Sequence, residues 1–344
     1  VNKSNEGKVP EMKDERLNYI EVPCGRCMEC KRSKANEWRV RLSEEIRQRK
    51  DGVFVTLTFS DESLVELGKD AKGFGYSFEN DIAKLAVKRM SERYRSREGK
   101  ALRHWLVTEL GGKYSERIHL HGLIFCKNDY NQIKKDWKYG NIWIGDYVSE
   151  RTINYMTKYV MKIDKKHSEY RSKIFTSQGM GKGFLKREDV KLNKYKGEDT
   201  DNSYTNRKGF KMNLPRYYKL KIWEDEQRED MMLNLLDKGI VVVNKKEYKL
   251  PEEQEQYERA LRQGKIKNLQ LGFPSDKKDH QERISQNMKR NEKFRERIRK
   301  VEKKEYICED NALDERYDSD DARVQKILEQ GYKFRLEDYR DHFI

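Results

Sequence analysis

What this chain has little of excludes several kinds of protein. Cysteine is scarce, with five in 344 residues. An odd number in a chain this long argues against a secreted disulfide scaffold, and a reducing cytoplasm is the expected setting. Long hydrophobic runs are missing. No stretch approaches the roughly 18–20 apolar residues of a membrane span, so neither a membrane partner nor a secretory leader is expected. No Gly-Lys-Ser/Thr phosphate loop occurs, which removes ATP-driven chemistry of that kind. There is no internal repeat. Apolar residues make up 35% of the chain and charged residues 39%. That balance fits one core with solvated helical segments better than a fully buried structure.

Positive charge is in excess, and it is unevenly placed. The net charge is +15. Residues 151–221 hold 19 Lys and Arg against 7 Asp and Glu, whereas 1–150 hold 29 against 24 and 222–344 hold 27 against 29. A basic stretch this dense is the electrostatic footprint of a phosphate-backbone partner, or else a basic surface that is merely solvated.

Periodicity divides the chain into four segments. Residues 1–50 begin with a polar stretch, expected to be poorly ordered over 1–22. Pro-Cys-Gly-Arg-Cys-Met-Glu-Cys follows at 23–30, then a basic helix with Ala35, Trp38, Leu42 and Ile46 at helical spacing. Residues 51–165 interleave strands and helices. Strands are predicted at 53–59, 104–110 and 117–126, the last two joined as a hairpin through Gly111-Gly112. A Gly-rich loop at 68–75 leads into a helix with Ile82, Leu85, Ala86 and Met90 on one face. A short alternating segment spans 141–148, and a helix spans 152–163. This order predicts an α+β fold, an antiparallel sheet flanked by helices. Residues 166–221 form the basic extension. Its Gly-rich piece at 178–183 is either a phosphate-approaching backbone or a plain flexible loop. Residues 222–344 read as charged and mostly helical, with one hairpin near 239–243. Nothing catalytic is read in them, so they are expected to be dispensable for activity.

Two constellations carry chemistry. In Ile118-His119-Leu120-His121-Gly122, residues two apart on a strand share a face. His119 and His121 therefore project together, and Glu109 ends the neighbouring apolar strand. Two imidazoles and a carboxylate with open positions suit a divalent cation that must also bind a substrate oxygen. The bland alternative is a pair of half-buried strand histidines. The second constellation is the 152–163 helix. Ile153, Met156, Val160 and Ile163 make an apolar stripe, and Tyr155, Lys158, Tyr159 and Lys162 make a second stripe beside it. Two phenols and two ammonium groups on one exposed face can serve as nucleophiles and charge stabilisers, or as amphipathic residues at the rim of a core.

Cys24, Cys27 and Cys30 are spaced for a structural metal, or are three free thiols in a tight turn. A structural Zn²⁺ needs a fourth ligand, for which Cys126, Cys308 or a histidine are candidates. Lys31, Arg32, Lys34, Arg39 and Arg41 on the helix that follows are candidate contacts to a DNA backbone.

Taken together, the motifs resemble the HUH endonuclease superfamily, specifically the replication initiators of small single-stranded DNA phages (Microviridae, gokushovirus-like). The resemblance rests on Phe54-Val-Thr-Leu-Thr58, on Glu109 with His119 and His121, and on Tyr155 and Tyr159, each followed by Lys three positions on. Pro-Cys-Gly-x-Cys-x-x-Cys and Pro215-Arg-Tyr-Tyr218 add to it. It spans roughly 22–221. The Glu109 strand departs from it, since Leu110 stands where an aromatic is usual, and the tail after 222 resembles nothing in the family. The resemblance implies an HUH core and Mg²⁺ or Mn²⁺ at Glu109, His119 and His121. It also implies nicking of a single-stranded DNA origin by Tyr155 or Tyr159, aided by Lys158 and Lys162. The product would be a 5′-phosphotyrosine and a 3′-hydroxyl that primes rolling-circle synthesis. Host polymerase and helicase would be partners, in a bacterial cytoplasm. A plasmid initiator, relaxase or transposase of the same superfamily, and a non-catalytic nucleic-acid-binding protein with a structural metal, are the competing readings.

Overall fold

The computed structural model describes residues 14–310, apart from 20–22, 26, 112–115, 127–129, 146–147, 163, 165, 244–245 and 273–278. In chain order the elements are α1 (Met28–Gln48), β1 (Gly52–Leu57), α2 (Asp61–Gly68), α3 (Tyr76–Glu98), β2 (Arg103–Leu110), β3 (Ile118–Phe125), α4 (Tyr130–Asp136), β4 (Ile142–Ile144) and α5 (Glu150–Met161). There follow β5 (Ile174–Thr176), β6 (Ser203–Thr205), β7 (Lys211–Asn213), α6 (Arg216–Ile222), α7 (Asp225–Asp237), β8 (Ile240–Val243), β9 (Lys246–Lys249), α8 (Gln254–Gln270) and α9 (Asp279–Asp310).

Five strands form one antiparallel sheet in the order β4-β1-β3-β2-β5. The β-branched and aromatic runs that predicted β1, β2 and β3 fill its centre. The α+β expectation is met, with helices on both faces and a helical C-terminal region. The expected β2–β3 pairing is present, though its turn at 112–115 lies outside the described residues.

Strand alternation splits the sheet into two apolar faces. Val53, Val55, Leu57, Leu106, Leu120 and Ile124 pack under α3 with Ile82, Ala86 and Met90. Phe54, Trp105, Val107, Leu123 and Phe125 pack under α1 and α5 with Ala35, Leu42, Ile153, Met156 and Val160. Each of these large side chains contributes about 1.5–3 kcal/mol by leaving water. A third cluster joins Val40 of α1 to Phe184, Tyr204, Leu214, Tyr218 and Trp223.

Four expectations change. Residues 15–19, read as part of a poorly ordered stretch, form a 3-10 turn with Leu17 buried. The loop read before α3 contains α2, started by the Ser60 side chain capping Ser63. The Gly-rich 178–183 piece is neither a phosphate loop nor a free loop. Met180 is fully buried, the Gly181 N–H donates to Glu45, and a Cβ at Gly183 would collide with Gln48. Glycine is needed there because the segment packs directly on α1. Last, the charged tail is not set apart: Phe294 and Val301 of α9 are buried, Phe294 within the α3-side core. Among the described residues no helix is long and apolar enough to cross a membrane.

Candidate active site

The site lies at one end of the sheet, on the face covered by α1 and α5. β2 and β3 pair with Glu109 directly opposite His119, and β1 sets Thr56 opposite His121. The Glu109 Oε2 is 3.3 Å from His119 Nε2 and 3.0 Å from His121 Nε2. The outer ring nitrogens are also engaged. His119 Nδ1 donates to the Arg117 carbonyl at 3.3 Å, and His121 Nδ1 lies 3.0 Å from the Thr56 hydroxyl. A ring that donates from Nδ1 presents its Nε2 lone pair inward, the arrangement metal-ligating histidines adopt. Three donor atoms thus converge. Ligands bonded at about 2.1 Å to one ion, at angles of about 90–109°, lie roughly 3.0–3.4 Å apart, which these separations match. Among the described residues, Glu109, His119 and His121 are one of two groups able to hold a metal; Cys24, Cys27 and Cys30 are the other.

Glu109 is nearly buried, and burial opposes its charge. Hydrogen bonds from His119, His121 and Lys162 outweigh that and hold its carboxyl far below the usual carboxylate range.

Helix α5 is anchored by a reciprocal cap in which the Ser149 and Thr152 side chains meet each other's backbone N–H. Ile153, Met156 and Val160 face the sheet as expected, with Thr157 buried among them; Ile163 lies outside the described residues. The two tyrosines stand on the flank towards the metal group. The Tyr159 ring stacks on His121 with centroids 4.3 Å apart, and its hydroxyl donates to the Tyr155 hydroxyl at 2.6 Å. Burial, with Tyr155 beside it, raises the Tyr159 phenol well above its ordinary value. Tyr155 is 51% exposed. Lys158 is exposed and lines, with both tyrosines, Glu109, Met161 and Lys162, an open depression over the site.

Lys162 corrects the expected helical stripe. The helix ends at Met161, Lys162 is its extended C-cap, and the ammonium turns onto Glu109 Oε1. The basic helix is corrected too. Arg41 lies over both Trp38 and Tyr217 and donates to the Met180 carbonyl, and Lys31 donates to the Lys162 carbonyl. These two are engaged within the protein.

Three contributors were not singled out from sequence. Phe54 stacks against His121 on the side away from Tyr159, and Trp143, 59% exposed, meets Phe54 edge-on. Thr56 orients His121. Phe54 and Thr56 share one strand face by alternation, but their partners depend on a register that only folding sets.

In the cysteine turn, Cys24 Sγ and Cys30 Sγ are 3.8 Å apart, and the backbone N–H groups of Cys27 and Cys30 point at the sulfurs of Cys24 and Cys27. Among the described residues no fourth metal-type side chain joins them. Cys126 is buried in the core on the other sheet face. The Cys308 side chain lies outside the described residues.

Fold and site together define a class: an α+β protein whose antiparallel sheet carries a carboxylate–imidazole group beside a two-tyrosine helix. Residues 52–164, from the first residue of β1 to just past α5, match the profile of the family described as replication-associated protein ORF2. The chain belongs to that family. It is 27% identical over 243 residues to the replication-associated protein ORF2 of Spiroplasma virus 4, covering 62% of this chain and 73% of that protein. It is 28% identical over 166 residues to the replication-associated protein VP4 of Bdellovibrio phage phiMH2K, covering 42% of this chain and 50% of that protein. No solved structure matches it.

Proposed function

We propose that this chain is a rolling-circle replication initiator with an HUH endonuclease core, which nicks single-stranded origin DNA and retains the 5′ end. One observation carries this reading. The inward-facing group of Glu109, His119 and His121 sits directly under two phenols, all within the segment that matches a replication-associated family. That match also favours replication over the relaxase and transposase alternatives. A non-catalytic binder has no use for a half-exposed tyrosine beside an ion site.

Glu109, His119 and His121 would hold Mg²⁺ or Mn²⁺, which supplies charge neutralisation at the scissile phosphate. Tyr155 is the better first nucleophile, since it is exposed and accepts the Tyr159 hydrogen bond, which stabilises charge growing on its oxygen. Its oxygen bonds to phosphorus in line as the bond to the 3′-oxygen breaks. The phenolic proton ends on the released 3′-hydroxyl, which a host polymerase extends behind a host helicase. Storing the linkage as a phosphotyrosine makes nucleotide hydrolysis unnecessary. Tyr159 then serves the second transfer that closes the circle. Lys158 neutralises phosphate charge from the rim, and Lys162 balances Glu109. The exposed Trp143 offers a base a stacking surface, and the basic 166–221 segment contacts the backbone.

The test is incubation with a labelled single-stranded origin oligonucleotide and Mn²⁺, followed by denaturing electrophoresis. A covalent protein–DNA band is expected from the natural chain and none from His121→Ala. A band of equal strength from His121→Ala would refute the metal assignment.

The cysteine turn is proposed to hold a structural Zn²⁺. Two thiolates on one tetrahedral zinc, with Zn–S near 2.3 Å, lie roughly 3.8 Å apart, and the Cys24–Cys30 separation agrees. Substitution with Co²⁺ should produce a sulfur-to-metal charge-transfer band that survives His121→Ala and vanishes in Cys27→Ser. No such band in the natural chain would leave three free thiols.

A further inference from the structure

We infer that Arg290 of α9 is a positioning residue for the metal site, acting through Glu116 and Arg117 on the ring of His119. This rests on the metal reading of Glu109, His119 and His121.

The chain of contacts begins at an unusual backbone. Among the described residues, Glu116 is the one non-glycine residue with a positive φ, +44°, and it is buried. Such a conformation is unfavourable for a side-chain-bearing residue and persists where the surroundings over-determine it. Here they do. Arg290 donates to both the carbonyl and the carboxylate of Glu116, and Lys293 and Lys166 close on the same carboxylate. Arg290 is itself fixed. It is 4% exposed and donates to both oxygens of Glu79 on α3, at 2.7 and 2.8 Å.

The next peptide carries the effect to the site. The Arg117 carbonyl accepts the Gly111 N–H at 2.8 Å and His119 Nδ1 at 3.3 Å. That second bond selects the tautomer whose Nε2 faces Glu109. Arg297, about two turns further along α9, braces the same peptide from outside through Asp61, which also holds the Arg117 side chain. So the carbonyl that aims His119 sits one residue from a strained position that α9 holds in place. Distant partners of this kind typically change metal affinity about 10–100-fold when removed.

The experiment compares full-length variants by Mn²⁺ binding, read as loss of the free-ion electron paramagnetic resonance signal, well below the melting temperature of each. Arg290→Gln should bind Mn²⁺ roughly tenfold or more weakly than the natural chain. Arg290→Lys, which keeps the charge and loses the two-pronged geometry, should fall between them. Phe294→Ala is the control for stability alone, because Phe294 packs on Phe78 and touches neither Glu116 nor Arg117. It should melt earlier yet bind Mn²⁺ as the natural chain does. Unchanged affinity in Arg290→Gln, or in Arg290→Lys should Arg290→Gln not fold, overturns the inference. So does an equal loss in Phe294→Ala. If the natural chain binds no Mn²⁺, or His121→Ala binds it equally, the metal reading has failed first and takes this inference with it.

Discussion

At the residue scale, the two tyrosines are not equivalent, although one helix turn separates them and each is followed by Lys at the same spacing. Tyr159 lies flat on His121 and donates its proton to Tyr155, whereas Tyr155 reaches solvent. The DNA adduct is therefore expected on Tyr155 in the natural chain. Tyr159→Phe should still nick once, slowed by roughly 2–10-fold, the worth of one neutral hydrogen bond at about 0.5–1.5 kcal/mol. Both single Phe variants should fail to make circles over many rounds, and the double variant should form no adduct. Peptide mapping of the adduct decides this; an adduct mapping to Tyr159 in the natural chain would reverse the assignment. The residue types were legible in the sequence because helical and strand periods sort side chains by face. Their inequality was not, because it comes from the ring that each tyrosine meets across the site.

At the element scale, the site depends on how closely β2 and β3 approach. Gly122 lies between Val55 on β1 and Leu106 on β2. A Cβ there would stand 2.0 Å from the Trp105 carbonyl oxygen and 2.8 Å from the Leu106 Cα, both backbone atoms that cannot swing aside. Gly122→Ala should therefore destabilise the chain by about 1–3 kcal/mol, seen as an earlier thermal melt. It should also weaken Mn²⁺ binding, because Glu109 and His119 face each other across the same pairing. A melt within experimental error of the natural chain would show that the strands can part there without loss. The strand itself was readable from its β-branched and aromatic content. The register and the need for glycine were not, since both arise from two strands meeting that a turn outside either one brings together.

At the scale of the whole molecule, the C-terminal region is tied to the core and the site. Its near-neutral charge and distance in sequence from every candidate residue suggested that it could be removed. Phe294 and Val301 are buried, Arg290 is buried against Glu79, and Asn287 and Asn291 cap the start of α3. A chain ending at 278 should lose several kcal/mol, at about 1.5–3 kcal/mol for each large apolar side chain uncovered, and should melt well below the full chain. An unchanged melt would return α9 to the role of a separate tail. Acid should act at the same joint. Burial opposes the charge of Glu116, yet Lys166 and Lys293 hold its carboxyl down to about 2. A carboxyl depressed from its ordinary 4.5 contributes stability above that value and loses it as pH falls from there towards 2. Glu116→Gln should flatten the loss of stability across that window, measured by denaturant unfolding at each pH.

The sequence by itself determined the central strands, the long helices, the shared face of His119 and His121, the tyrosine face of α5 and the basic stretch that follows. These are properties of local periodicity and composition, which a chain carries before it folds. The tertiary structure decided the rest. It put Glu109 in register with His119, turned Lys162 onto Glu109, filled the space beside α1 with a glycine-rich segment, and brought α9 from beyond residue 278 against the strained Glu116. Each of these joins residues far apart in the chain. No local pattern encodes them, because the free energy that selects them is that of burying apolar surface and pairing buried charge across the whole molecule.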